Sequence, residues 1–412
     1  MAKLFTPFTI RGVTLPNRLV VSPLCQYAAE GNDGMATSWH FAHQSTFARG
    51  KVGTVFTEAT AVQPSGRITP KCLGLWNDEQ AKALKPIVDF IREMGCVPAM
   101  QLAHAGRKAS CYPPNVDPAV KGKPILSTLK DRPEGFVVRE EDEPWDTVAP
   151  SAIPAAAGWP TPHALTKEEL AQLKDDFVSA ARRALSIGYQ IIELHMAHGY
   201  LFHTFLSAVS NKRDDEYGGK SIENRMRYPL EVSKAVRSAI GEDVPLFVRV
   251  SAVDGSDDPD GWTLEDTLRF AAELKSPLGG CVDVVDCSAG GITGQPNFRI
   301  DEKGKPLTGS AVRPPGFQVP YASAVKNEAK MHSMAVGVIV EPRQAEEILQ
   351  RGDADLIAMG RELMYNPFWL LHAADTLGVE APWPKPYGWA IQRRDQIRAL
   401  NQKLEEERKS QQ

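Results

Sequence analysis

Gly188-Tyr189-Gln190-Ile191-Ile192-Glu193-Leu194-His195-Met196-Ala197-His198-Gly199-Tyr200 is one repeat of the fold in miniature. Ile191–Leu194 is short, apolar and β-branched, too short for a helix, and reads as a strand. Before it, Thr166–Ile187 has a helical pattern, opened by a Thr166-x-x-Glu169 cap and stopped by Gly188. After it the chain turns polar at once, at His195 and His198. A helix, a strand and a polar exit make one unit, and the same order recurs on both sides.

Seven more apolar runs fit the strand pattern: Leu19–Val21, Val52–Val62, Val97–Leu102, Leu246–Val250, Val282–Val285, Ala335–Val340 and Leu356–Met359. Helical patterns fall between them, among them Asp78–Met94, Ser221–Ile240, Thr263–Leu274 and Glu341–Arg351. Strands alternating with helices imply parallel pairing with right-handed crossovers, and eight is the barrel count. The expected fold is therefore α/β, a TIM (β/α)8 barrel over residues 1–380, with its site at the C-terminal strand ends. Two stretches break the rhythm. Residues 107–164 are rich in Pro and charge and are expected to form a long insertion loop over the C-terminal face, acting as a lid. Residues 381–412 form a charged helical pattern with Ile397, Leu400 and Leu404 at helical spacing, read as a surface helix with a tail.

Composition narrows the function. The chain has 412 residues, 42% apolar and 24% charged, which is globular usage. A net charge of −4, from 47 basic and 51 acidic residues, gives no broad basic surface for nucleic acid. No apolar run reaches the roughly 18 residues a membrane span needs. The six cysteines include no C-x-x-C pair and are expected to be reduced thiols of a cytoplasmic protein.

The polar residues that follow the strands carry the chemistry. His195 and His198 converge only if the chain leaves its strand near His195, because residues three apart on a strand face opposite ways. Two chemistries fit the pair: a metal site, with Glu193 as a third ligand, or two donors gripping a carbonyl or phenolate oxygen. Arg249 sits inside Leu246–Val250, where a buried charge needs an anion or an acidic partner. Gln101 offers an amide that donates and accepts. Val336-Gly337 and Met359-Gly360-Arg361 end the seventh and eighth runs, where glycines and an arginine suit a phosphate. Cys25 follows the first run, at the same mouth.

In order along residues 4 to about 370, the motifs resemble the old yellow enzymes, FMN-dependent ene-reductases, and most closely their thermophilic-like bacterial branch. The resemblance rests on Leu4-Phe5-Thr6-Pro7, Asn17-Arg18 through Ser22-Pro23-Leu24-Cys25-Gln26-Tyr27, Glu58-Ala59, and Gly66-Arg67-Ile68. It continues through Gln101–Lys108, His195-x-x-His198-Gly199-Tyr200-Leu201, Phe205-Leu206-Ser207, Asp215–Gly219 and Glu223-Asn224-Arg225. Phe247–Ser251, Asp355-Leu356-Ile357 and Gly360–Leu363 complete it.

The resemblance implies FMN as cofactor and NADPH or NADH as hydride donor. Ser22, Pro23, Leu24 and Cys25 would line the flavin, Ala59 would touch it through backbone, and Gln101 would bond its pyrimidine edge. Arg249 would stand by N1 and O2, and Gly337, Gly360 and Arg361 would hold the phosphate. Hydride would pass from flavin N5 to the β-carbon of an α,β-unsaturated carbonyl compound. His195 and His198 would grip the carbonyl oxygen, Tyr27 would assist, and Tyr200 would deliver the proton to the α-carbon. The expected partner is a small enone, with no metal. A homo-oligomer is among the expected partners; in that branch a C-terminal arginine reaches a neighbouring site, and this sequence departs from the pattern there, reading Pro386-Tyr387-Gly388-Trp389 with Arg393 and Arg394 further on. The alternatives are a metal-dependent barrel hydrolase, whose usual H-x-H on the first strand is missing from the first run here, and a flavin-binding protein without turnover. A dienoyl-CoA-type reductase would need a cysteine cluster, which the sequence lacks.

Overall fold

Strands buried from end to end need cover on both faces, and a closed barrel ringed by helices supplies it. The structure, a computed structural model, describes residues 2–113, 144–256, 258–275, 280–293 and 313–410. A hairpin comes first, β1 (Phe8–Ile10) with β2 (Val13–Leu15). The barrel strands are β3 (Leu19–Val21), β4 (Thr54–Ala61), β5 (Val97–Ala103), β8 (Ile191–Met196), β9 (Leu246–Ser251), β10 (Val284–Ser288), β11 (His332–Ala335) and β12 (Leu356–Met359). They are all parallel, and β12 pairs with β3 to close the ring. A small parallel pair, β6 (Val148–Ala149) and β7 (His163–Ala164), lies between β5 and the next helix.

The core has two compartments. Inside the ring, Val20, Phe56, Ala99, Ile191, Phe247, Val284, Met334 and Leu356 form one apolar cluster. Ile10, Val13 and Leu15 of the hairpin belong to it, so β1–β2 plugs the N-terminal end of the barrel. A larger cluster lies between the strands and the helices. Each Leu or Phe so buried contributes roughly 1.5–3 kcal/mol.

The eight-stranded parallel barrel is as the sequence implies, with two strands displaced. The seventh run was expected over Ala335–Val340, but β11 ends at Ala335. Gly337 takes φ +117° and Val338 φ +51°, and their carbonyls accept from Gly316 N–H at 3.0 and 3.1 Å. A turn with apolar residues mimics a strand in one-dimensional reading. The sixth run likewise starts later and reaches Ser288, not Val285, which matters for the site below. The helices fall where the patterns put them: Asp78–Glu93, Lys167–Ser186, Ile222–Ile240, Leu264–Lys275 and Pro342–Arg351. Thr166 caps as expected, accepting from Glu169 N–H at 3.2 Å while Glu169 Oε2 accepts from Thr166 N–H at 2.7 Å.

Residues 144–164 cross the C-terminal side of the barrel. Trp145 Nε1 donates to Ser65 O at 2.9 Å, and Arg107 donates to Ile153 O and Pro154 O at 3.1 and 3.2 Å. The middle of the expected lid, 114–143, lies outside the described residues. At the other end Gly388–Ser410 is one helix with no buried residue.

Candidate active site

Alternation along a strand sends every second residue into the barrel. Two residues above the lumen positions Ala99, Ile191, Phe247 and Val284 stand Gln101, Glu193, Arg249 and Asp286, all buried. This is a polar layer on an apolar floor. Gln101 Nε2 donates to Glu193 Oε1 at 2.8 Å. Arg249 Nε lies 3.2 Å from Asp286 Oδ2, and its Nη1 donates to Ser22 Oγ at 3.1 Å. Burial holds the Glu193 carboxyl well above its ordinary value, and Asp286 adds to this. Burial also raises Asp286, with Arg249 opposing. One cation serves two carboxyls, so the proton of the pair belongs on Glu193 while Asp286 pairs with Arg249. Glu193 Oε2 makes no hydrogen bond, which leaves a polar group of the layer open to a ligand above it.

Two residues higher stand His195, Ser251 and Ser288. The strand runs through Met196, so the break falls later than expected: His198 takes φ +61° and Gly199 φ +74°. That left-handed pair turns His198 back, leaving the two rings 5.1 Å apart and perpendicular at 89°. Tyr200 joins them, its ring 5.0 Å from His195 and 6.5 Å from His198. A side chain at residue 199 would collide with Gly291 O, so glycine is required there. His203 Nδ1 accepts from Gly199 N–H at 2.8 Å, and its Nε2 donates to buried Asp254 at 2.7 Å. Lys108 Nζ donates to His198 O at 2.9 Å and to Gly291 O. Burial, helped by Arg107, lowers that ammonium to about 7.

Both site histidines are held well below the ordinary imidazole value, by burial first and by Arg249 second. They are therefore neutral at pH 7 and each offers one N–H. Burial, with Cys25 beside it, raises the Tyr200 phenol, and burial, Cys25 and Tyr200 raise that of Tyr27. The two tyrosines thus face one space and both stay protonated.

The chain leaving β3 forms the opposite wall. Ser22 N–H donates to Met359 O at 2.9 Å, tying this exit to β12. Pro23, Leu24 and Cys25 are half-buried there. Tyr27 takes φ +54°, and its neighbour Gln26 donates through N–H to Glu58 Oε2 at 3.0 Å. The β4–β5 register shifts between Thr57 and Thr60, so Ala59 sits in an irregular stretch, and its backbone bonds the Cys25 thiol. Burial and Glu58 hold that thiol well above its ordinary value.

Gly337 and Gly360 lie beyond. A Cβ on Gly360 would come within 2.9 Å of Leu24, and one on Gly337 within 2.9 Å of Phe317. Arg313 stands 5.0 Å over the Phe317 ring and is lowered by burial and by Arg361, so two guanidiniums flank this glycine cradle. Like charges held together suit an anion.

The structure thus brings the sequence-derived residues to one mouth. Glu193, which the metal reading needs as a ligand, faces Gln101 instead. Among the described residues no group of three or more His, Cys, Asp or Glu side chains is arranged to hold a metal ion. Sequence reading passed over Asp286, Ser288, Lys108 and Arg313. Asp286 and Ser288 keep the two-residue spacing of an inward strand face, a signal visible once the sixth strand extends to Ser288. The fit to FMN rests on the open polar layer, the glycine cradle and the paired guanidiniums.

Comparison with known proteins agrees. Residues 3–380 match the model of the NADH:flavin oxidoreductase / NADH oxidase family. An NADPH dehydrogenase of Geobacillus thermodenitrificans is 40% identical over 388 residues, covering 94% of this chain and 98% of the relative. An NADH:flavin oxidoreductase of Gibberella zeae is 42% identical over 406 residues, covering 95% and 90%. Among solved structures, morphinone reductase shares the fold at TM-score 0.69 and 24% identity, over 93% of this chain and 92% of that one. The chain belongs to the NADH:flavin oxidoreductase / NADH oxidase family, and is an FMN-dependent oxidoreductase supplied with electrons by a nicotinamide.

Proposed function

We propose that this oxidoreductase is an ene-reductase, acting on the activated C=C bond of α,β-unsaturated carbonyl compounds. The observation that carries the proposal is the perpendicular His195–His198 pair, 5.1 Å apart, with the Tyr200 ring against it. Two neutral N–H donors in a buried site stabilise an oxygen on which negative charge builds, a contribution of roughly 3–4 kcal/mol per well-aimed donor. They bind a carbonyl oxygen weakly and its enolate strongly, which is what lowers a barrier.

FMN would supply the hydride chemistry, between NADPH or NADH and the β-carbon of the alkene. Gln101 and Arg249 would hold its pyrimidine edge, where Arg249 would meet the charge that reduction brings. Ser22, Pro23, Leu24 and Cys25 would line the ring, with the Ala59 backbone beside them. Gly337, Gly360 and Arg361 would hold the phosphate, joined by Arg313. His195 and His198 orient the substrate oxygen and Tyr27 closes the site from the β3 side. Tyr200 keeps its proton in the resting site, because burial disfavours the phenolate. It then gives that proton to the α-carbon once the basic enolate forms.

A para-substituted phenol tests the oxygen site without turnover. Its phenolate, held by both histidines and stacked on the flavin, should give a long-wavelength charge-transfer band. His195→Ala with His198→Ala should abolish that band while FMN stays bound. A band unchanged in the double variant overturns the assignment.

A further inference from the structure

The two site histidines turn different ring nitrogens to protein partners, and one of those partners is Ser288 at the end of β10, the strand beyond β9. His195 Nδ1 accepts a hydrogen bond from Ala197 N–H at 3.3 Å. A neutral ring carries one proton, so that of His195 is on Nε2. His198 is arranged the other way round, with Nε2 lying 2.7 Å from Ser288 Oγ.

Two proton placements satisfy that distance. If His198 Nε2–H donates to Ser288, the serine's own hydrogen needs another acceptor, and Nδ1 is a bare acceptor. If Ser288 donates to Nε2, the hydroxyl is satisfied and the ring proton sits on Nδ1. Ser288 is buried, and among the described residues its Oγ makes no hydrogen bond except to His198. The first placement therefore strands a buried hydroxyl hydrogen, at a cost of roughly 1–3 kcal/mol. The nearby hydroxyl cannot substitute: Ser251 Oγ accepts from His198 N–H at 2.9 Å and donates to Gly290 O at 2.7 Å. The backbone that carries the ring is fixed, because Lys108 holds His198 O and Asp254, through His203, holds Gly199 N–H.

We propose that Ser288 is a positioning residue that fixes His198 in its Nδ1–H form, so that the pair presents His195 Nε2–H and His198 Nδ1–H to the ligand oxygen. The clause about the ligand oxygen rests on the ene-reductase reading; the tautomer assignment does not. With opposite tautomers, two rings only three residues apart in sequence can both donate, each spending its other nitrogen on a fixed partner. Ser288 lies one inward step above Asp286, so strand alternation alone brings it beneath His198.

Long-range nitrogen–proton NMR on the FMN-loaded enzyme, labelled with 15N-histidine, reads the tautomers directly. His195 and His198 signals are assigned by their loss in His195→Ala and His198→Ala. At pH 7 we expect His198 protonated at Nδ1 and bare at Nε2, with His195 the reverse. Ser288→Ala should shift the His198 signals toward the Nε2–H form and weaken para-chlorophenol binding roughly tenfold. Ser288→Thr, which keeps the hydroxyl, should restore both, and an unchanged flavin spectrum shows that the site stays folded. His198 protonated at Nε2 in the parent protein overturns the proposal, as do His198 signals that do not move in Ser288→Ala. The expected tautomers without any phenol binding would support the Ser288 assignment and remove the oxygen site; phenol binding with Nε2–H on His198 would do the opposite.

Discussion

In the proposed reaction Tyr200 supplies the proton. Its ring lies edge-on to His195 at 5.0 Å, and burial keeps the phenol protonated. Tyr200→Phe preserves the ring and removes only the hydroxyl. General acid catalysis contributes on the order of 100- to 10,000-fold. The variant should slow re-oxidation of the reduced enzyme by an enone by about 100-fold or more, while reduction by NADPH stays within about twofold, read by stopped flow. An unaffected oxidative half-reaction would move the role to solvent or Tyr27. Cys25 is a contrasting case: its thiol is held protonated by burial and Glu58, unfit for a nucleophile. Cys25→Ala should shift the flavin's reduction potential and leave enone turnover detectable; complete loss of turnover with FMN bound would contradict this.

At the scale of elements, the strands place the site, and Asp355 places a strand. It precedes β12 and accepts from Lys326 Nζ at 2.9 Å, from His332 Nδ1 at 3.2 Å and from Ser333 N–H at 3.2 Å. Burial pushes its carboxyl up, but these partners outweigh burial and bring it down to about 2 from 3.8. A carboxyl depressed on folding stabilises fully above its unfolded value and loses that stability as pH falls through the folded one. Asp355→Asn should therefore cost about 2 kcal/mol at pH 7, and the gap between the two proteins should close between pH 4 and pH 2. Denaturant midpoints across that range measure it; a gap independent of pH would contradict the linkage.

Element by element, the barrel was legible because its strands are buried on both faces and read as unbroken apolar runs. The exceptions have physical causes. Helix Ser38–Arg49 buries His40, Gln44 and Ser45, so its inward face does not look apolar. The turn at Gly337–Val338 looked like strand because its flanking residues are β-branched. In the site, residues inside named motifs were visible, whereas Asp286 and Ser288 lay beyond the assumed end of a strand. Arg313 was invisible because its relation to Arg361 is set by folding, not by spacing.

At the scale of the whole molecule, the barrel carries the site and the last helix stands apart. Gly388–Ser410 buries no residue, and an ion pair it makes to the body, Arg398 to Asp375 at 3.7 Å, joins two exposed side chains. Such pairs contribute little. Ending the chain after Tyr387 should leave FMN content and the thermal midpoint of the monomeric unit nearly unchanged. A fall of several degrees would show that this helix is covered in solution, by a second copy of the chain. Such a result would leave the chemistry of the mouth untouched. The direct measurement of that chemistry is an anaerobic cycle. The purified protein should be yellow with bound FMN, NADPH should bleach it, and 2-cyclohexenone should restore the colour while forming one cyclohexanone per flavin. Colour that returns with oxygen but not with any enone would leave a flavin oxidoreductase and contradict the ene-reductase.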